Sequence, residues 1–190
     1  LDCEELLRAA ADRVGPSVVR VEQGSGTVIG EGRVLTNAHV LDEGTPVTVA
    51  FAGGRSVPAK VLGADLDDDL AVLEPAEPGG DPIRWEAGAG GPRLGQLVVV
   101  VAATCDGGVR VTAGHVSAVG RSFRGPGGRP LVGFEHTALG KAGPYSGGPV
   151  VDVEGRLLGV DTECMEGGIH VAIVADSAMA QRVERLSLRS

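Results

Sequence analysis

Tyr145-Ser146-Gly147-Gly148-Pro149 is the stretch on which the reading of this chain turns. A serine beside two glycines is by itself only a tight turn. Its meaning comes from two upstream segments, Leu35-Thr36-Asn37-Ala38-His39-Val40 and Asp69-Leu70-Ala71-Val72-Leu73. A serine hydroxyl is a poor nucleophile until an imidazole takes its proton, and the imidazole needs a carboxylate to hold its tautomer and stabilise its charged form. His39 follows a strand-like run, where a lone histidine is more often a core or surface residue. Asp69 closes the acidic run Asp65-Leu66-Asp67-Asp68-Asp69, ordinarily a solvated turn. An apolar strand starts immediately after Asp69, which should draw this carboxylate inward while its neighbours stay in solvent. Asp67 and Asp68 are the alternatives for the same role. For all three residues to be bystanders, three coincidences are required in one order.

The order His39, Asp69, Ser146 is that of chymotrypsin-like enzymes; subtilisins and α/β-hydrolases run differently. Other segments agree. They are Gly24-Ser25-Gly26-Thr27-Val28-Ile29 before the histidine, Leu94-Gly95-Gln96 with the valine run after it, and Val111-Thr112-Ala113-Gly114-His115-Val116-Ser117. After the serine come Gly155-Arg156-Leu157-Leu158-Gly159-Val160 and Ala172-Ile173-Val174-Ala175. In this order, over roughly residues 14 to 187, they resemble the trypsin-like protease domain of the HtrA/Deg (high-temperature-requirement) family. The resemblance implies an all-β fold of two six-stranded antiparallel β-barrels with short N- and C-terminal helices. It implies a catalytic triad of His39, Asp69 and Ser146, working on unfolded or extended polypeptides with no metal and no organic cofactor. It suggests an extracytoplasmic setting. Relatives often trimerise through aromatic residues near the N-terminus. The aromatics here are Phe51, Trp85, Phe123, Phe134 and Tyr145, none in the opening segment, so monomer and trimer both stay open. The family usually carries a PDZ domain after its closing helix, and the expectation is that PDZ function is absent from this chain.

Composition agrees independently. A chain of 190 residues fits one domain or two small subdomains sharing an interface. Its 31 glycines and 11 prolines are spread along the chain and punctuate many short apolar runs, the signature of a barrel or sandwich. A hydrophobic content of 43% argues against disorder. A net charge of −8 disfavours nonspecific binding to nucleic acid or anionic membrane. No apolar run is long enough to span a bilayer, so a soluble chain is expected.

Helical spacing of Leu6, Leu7, Ala10, Ala11 and Val14 after Asp2 predicts an opening helix ended by Gly15-Pro16. Strand-like runs follow at Ser17–Glu22, Thr27–Ile29, Arg33–Leu35, Pro46–Phe51, Ala59–Leu62 and Leu70–Leu73. A second set covers Leu97–Ala102, Val109–Val119, Leu131–Phe134, Pro149–Val153, Arg156–Val160 and Ile169–Ile173. Pro75-Ala76-Glu77-Pro78-Gly79-Gly80 reads as the linker. A closing helix begins near Asp176, with Met179, Val183 and Leu186 on one face. The expected organisation is one domain, with the N-terminal helix over 1–16, barrels over 17–78 and 79–175, and the closing helix over 176–190.

One feature departs from the family pattern. Its oxyanion hole uses the backbone amides of the serine and of the residue two before it. Two before Ser146 stands Pro144, which has no N–H. The preceding loop is about one residue longer than the family's, so Gly143 is the other candidate for the donor, beside the amide of Ser146. Loss of a single oxyanion donor costs about 10²–10³ in turnover. An altered hole allows a switchable enzyme or a catalytically inactive peptide-binding pseudoprotease. Substrate backbone is expected to pair along Val160, Asp161 and Thr162 as an added strand. His39, His115, His136 and His170 with Cys3, Cys105 and Cys164 show no metal-like spacing. Cys105 and Cys164 fall in the same half and are a possible bridge.

Overall fold

The computed structural model describes residues 2–138, 142–164 and 167–189. Helix α1 (Cys3–Val14) starts at a reciprocal cap: Glu5 N–H donates to the Asp2 carboxylate and Asp2 N–H to that of Glu5. Six antiparallel strands follow: β1 (Val18–Val21), β2 (Gly24–Val28), β3 (Val34–Thr36), β4 (Val47–Ala50), β5 (Ser56–Asp65) and β6 (Leu70–Pro75). They close into a barrel in the order β1-β2-β3-β6-β5-β4. A second six-stranded antiparallel barrel contains β7 (Leu97–Ala103), β8 (Val109–Arg124), β9 (Pro130–His136), β10 (Pro149–Val151), β11 (Leu157–Cys164) and β12 (His170–Val174). Its order is β10-β11-β12-β9-β8-β7. A single helical turn, α2 (Ala142–Tyr145), lies between β9 and β10. Helix α3 (Ser177–Ser187) closes the chain, its Asp176 cap accepting from Met179 N–H.

The valine run of β7 shows how the two halves are joined. Val98, Val100 and Ala102 pack inside the second barrel with Phe134 and Val150. Val99 and Val101, on the opposite face, join a core shared with Leu35 and Leu70 of the first barrel, Val14 of α1 and Met179 of α3. A strand buried on both faces reads as an unbroken apolar run because neither face needs polar residues. The first barrel fills its interior with Val19, Val21, Val34, Val49 and Leu73.

The twelve expected strands are all present, with shifted ends. β8 was expected to end at Val119 and continues to Arg124, and β11 continues past Val160 to Cys164. The added length of β8 is mostly exposed, so cross-strand hydrogen bonding to β9 sustains it and no hydrophobic alternation marks it. Cys105, in the β7–β8 turn, is a free, exposed thiol, so the possible bridge to Cys164 is not formed. No helix among the described residues is long and apolar enough to cross a membrane.

Candidate active site

β3 and β6 are neighbours, with Thr36 opposite Ala71. This pairing brings the turn Ala38–Val40 after β3 against the residue that precedes β6. His39 Nδ1 lies 2.8 Å from Asp69 Oδ2 and 3.0 Å from Oδ1, and the His39 backbone N–H donates to Oδ1 at 3.1 Å. Asp69 is fully buried and holds a left-handed backbone (φ 49°), an uncommon conformation for a residue with a Cβ. Asn37 stabilises that turn by donating from Nδ2 to the Asp69 carbonyl at 2.9 Å. The Thr162 hydroxyl also donates to Asp69 Oδ2. The other carboxylates of the acidic run point elsewhere, Asp67 to Arg129 and Asp68 to Arg182, each at 3.4 Å. The hydrogen bond that His39 donates to Asp69 raises the pKa of His39 above the ordinary imidazole value. Burial opposes that shift, and the charges of Asp69 and Glu163 add to it.

Ser146 follows α2 and is buried. Its hydroxyl donates to the Thr162 carbonyl at 3.0 Å. Thr162 therefore touches both predicted partners, Ser146 through its backbone and Asp69 through its side chain. The Ser146 turn is tied to its surroundings from two sides. Ser25 N–H donates to the Ser146 carbonyl at 2.9 Å, and the Ser25 hydroxyl donates to the Pro144 carbonyl at 2.6 Å while accepting from Ala103 N–H. On the other side, Gly147 N–H donates to the Asp161 carbonyl at 2.8 Å and Asp161 N–H to the Gly148 carbonyl at 2.9 Å. Gly147 has φ 84°, and a Cβ there would lie 2.2 Å from the Ser25 carbonyl oxygen, so only glycine fits. Gly143 and Pro144 both belong to α2.

Val160, Asp161 and Thr162 are all buried. Val160 lies between Pro149 of β10 and Ile173 of β12, and the backbone of Asp161 is bonded to Gly147 and Gly148. Among the described residues, the edge of β11 beyond β10 begins at Thr162. A cleft beside His39 runs past Thr162 and Glu163 to Arg124 and the Gly125-Pro126 turn.

Sequence reasoning missed Ser25, Asn37 and the double role of Thr162. It also missed a buried cluster behind the serine turn, in which Asp161 contacts His136 Nε2 at 2.9 Å and His170 Nδ1 at 3.1 Å. Thr-Asn-Ala-His and Gly-Ser-Gly were visible as segments. Their side chains act on partners 32 to 119 residues away, which no local pattern reveals.

The sequence pattern of the trypsin-like peptidase domain matches residues 24–160, and the chain belongs to that family. It is homologous to DegP/HtrA proteins. A probable periplasmic serine endoprotease, DegP-like, of Brucella suis is 35% identical over 182 residues, covering 93% of this chain and 35% of the relative. A probable periplasmic serine protease, do/HhoA-like, of Haemophilus influenzae is 33% identical over 162 residues, 82% of this chain and 34% of the relative. The periplasmic serine endoprotease DegP of Escherichia coli K12 is 31% identical over 165 residues, 84% of this chain and 34% of the relative. The chain thus spans about a third of the length of these relatives.

Proposed function

We propose that this chain is a serine endopeptidase domain acting on unfolded or extended polypeptides, with Ser146 as nucleophile, His39 as general base and Asp69 as its orienting carboxylate. The observation that carries the reading is the pairing of His39 with the buried Asp69 carboxylate, which is linked to Ser146 through Thr162. In this reading His39 Nδ1–H points to Asp69, which leaves Nε2 to take the Ser146 proton as the hydroxyl attacks a peptide carbonyl. The protonated imidazole then gives that proton to the leaving amine, and water admitted to the acyl-enzyme repeats the sequence. The developing oxyanion takes the Ser146 amide and a second donor from Gly143. Before attack, the Ser146 hydroxyl exchanges its bond to the Thr162 carbonyl for one to His39. A substrate strand laid along β11 from Thr162 onward competes for that same carbonyl, so peptide binding favours the exchange. No step calls for a metal or organic cofactor. The relatives named periplasmic support an extracytoplasmic location for this chain.

Pro144, which offers no N–H where the family has a donor, favours a second reading, a peptide-binding pseudoprotease using the same groove. Labelling with a fluorophosphonate probe separates the two. Stoichiometric labelling at Ser146, abolished in Ser146→Ala and His39→Ala, is expected. Absence of labelling in the wild type, with unfolded protein or peptides added, overturns the hydrolase reading in favour of the binding module.

A further inference from the structure

Behind the serine turn, the second barrel encloses a charged group that the proposed reaction does not use. Asp161 is 1% exposed. Each of its carboxylate oxygens meets a different imidazole, His136 Nε2 on Oδ1 and His170 Nδ1 on Oδ2. The two rings stack with centroids 5.2 Å apart, and Tyr145, next to the nucleophile, stands edge-on to His170. His136 and His170 face each other across the β9–β12 pairing, so the bracket joins β9, β12 and β11 at the site end of the barrel. A buried carboxylate is costly unless its hydrogen bonds are made, and breaking such a network leaves the charge uncompensated.

What the bracket holds is a β-bulge. Asp161 pairs with Ala172 and Glu163 with Val171, which leaves Thr162 as the extra residue on β11. Bulges beside functional sites re-aim side chains. Here Asp161 and Thr162, consecutive along the strand, are both buried, and the bulged Thr162 presents its carbonyl to Ser146 and its hydroxyl to Asp69. We propose that Asp161, clamped between His136 and His170, is a positioning residue that locks this bulge and thereby sets the mutual placement of Ser146 and Asp69. The proposal rests on the hydrolase reading above for its functional consequence.

Two imidazoles and a carboxylate with ligand atoms within 4.8 Å also describe a site for a divalent cation. The hydrogen bonds argue against it. Ala138 N–H donates to His136 Nδ1 at 3.4 Å, so the lone pair of that nitrogen is engaged and Nε2 carries its proton toward Asp161. A ring nitrogen that donates has no lone pair for a metal. The nearly parallel rings, 23° apart, also address different carboxylate oxygens instead of one point.

The test compares the wild-type chain with Asp161→Asn, His136→Gln and His136→Leu. Asp161→Asn replaces one accepting carboxylate oxygen with an amide N–H₂ and removes the charge from the bracket, so one of the two imidazoles loses its acceptor. Fluorophosphonate labelling is expected to fall about 10²-fold, the cost of a displacement near 1 Å at a reacting group. Peptide turnover should fall mainly in kcat with a smaller rise in KM, because Thr162, which also meets the substrate strand, moves while Glu163 and Arg124 across the same cleft stay in place. His136→Gln, which keeps a side-chain N–H donor, should retain more activity than His136→Leu. Circular dichroism and urea midpoints identify any variant that has not folded, and the Gln and Leu pair then carries the comparison. Labelling of Asp161→Asn at the wild-type rate overturns the proposal. In unreactive Ser146→Ala protein, nitrogen-15 NMR should find His136 protonated at Nε2 and unmoved by Zn²⁺. A zinc-dependent shift of that nitrogen with a raised melting temperature overturns the proposal in favour of a metal site. If the wild type itself does not label, the hydrolase reading has failed, and the bracket is read from the Thr162 amide resonance. Asp161→Asn must shift it, and an unmoved Thr162 amide overturns the proposal.

Discussion

His39 concentrates the local electrostatics of the site. Its bond to Asp69 raises its pKa above the ordinary 6.5, and Glu163, exposed at the rim, adds to the shift. In the proposed role as general base His39 works only when neutral, so fluorophosphonate labelling should rise with pH through a midpoint above 6.5. Glu163→Gln should move that midpoint down, and an unmoved midpoint would mean that its charge does not reach the imidazole. The stability linkage has the opposite sign. A raised folded pKa contributes stability that is fully present below the unfolded value and is lost as pH rises through the folded one. The urea midpoint lost on His39→Gln should therefore be larger at pH about 5.5 than at pH about 9. Thr162 is the other decisive side chain. Thr162→Val keeps the shape but removes the hydroxyl bonded to Asp69, and a hydrogen bond to a charged group contributes about 1.5–3 kcal/mol. Labelling should slow at least tenfold; a variant reacting at the wild-type rate would show the hydroxyl to be dispensable. His39, Asp69 and Ser146 could be singled out from the sequence because each sits in a short patterned segment. Thr162 was legible only as part of a strand, since its bond to Asp69 spans 93 residues.

At the scale of elements, the strands announced themselves where burial on a face forced valine and leucine, and both long helices where Asp2 and Asp176 supplied caps. The extension of β8 past Val119 was hidden because its residues are mostly exposed and carry no alternation. The bulge in β11 was hidden too, because a bulge is defined by pairing with β12 and leaves no composition signal. Histidines at 136 and 170 read as unrelated until the β9–β12 register set them opposite each other. The turn after Ser146 yields the clearest prediction at this scale. Gly147→Ala would force a Cβ to within 2.2 Å of the Ser25 carbonyl and 2.4 Å of the Thr36 hydroxyl, while also paying the left-handed penalty of about 1–2 kcal/mol. β2 would have to move, and Ser25 holds both Ser146 and Pro144. Urea denaturation should show a loss exceeding the conformational penalty alone, together with loss of labelling. A midpoint within experimental error of the wild type would show that the clasp by Ser25 yields easily.

Across the molecule, the residues of the site come from both barrels, so their geometry is only as firm as the contact between the halves. That contact is a shared hydrophobic core. Leu35, Leu70 and Val72 of the first barrel pack in one cluster with Val99, Val101, Val151 and Val160 of the second, and α1 and α3 close it with Val14, Met179 and Val183. The core residues of β7 alternate between this shared cluster and the interior of their own barrel, so separating the halves exposes one whole face of that strand. Removing apolar surface from water contributes about 25 cal/mol per Å², and neither half can keep that contribution alone. The expected behaviour is therefore a single cooperative unit over the whole chain, with the barrels as subdomains of one domain. Trp85, the only tryptophan, is well placed to report it. Trp85 packs against the shared core and donates from Nε1 to the Ala175 carbonyl at 2.9 Å, so its fluorescence follows the junction while far-UV circular dichroism follows the strands. Urea transitions by the two probes should coincide. An earlier fluorescence transition would mean that the halves part before they unfold, and labelling at Ser146 should then be lost with the fluorescence, before the circular dichroism changes.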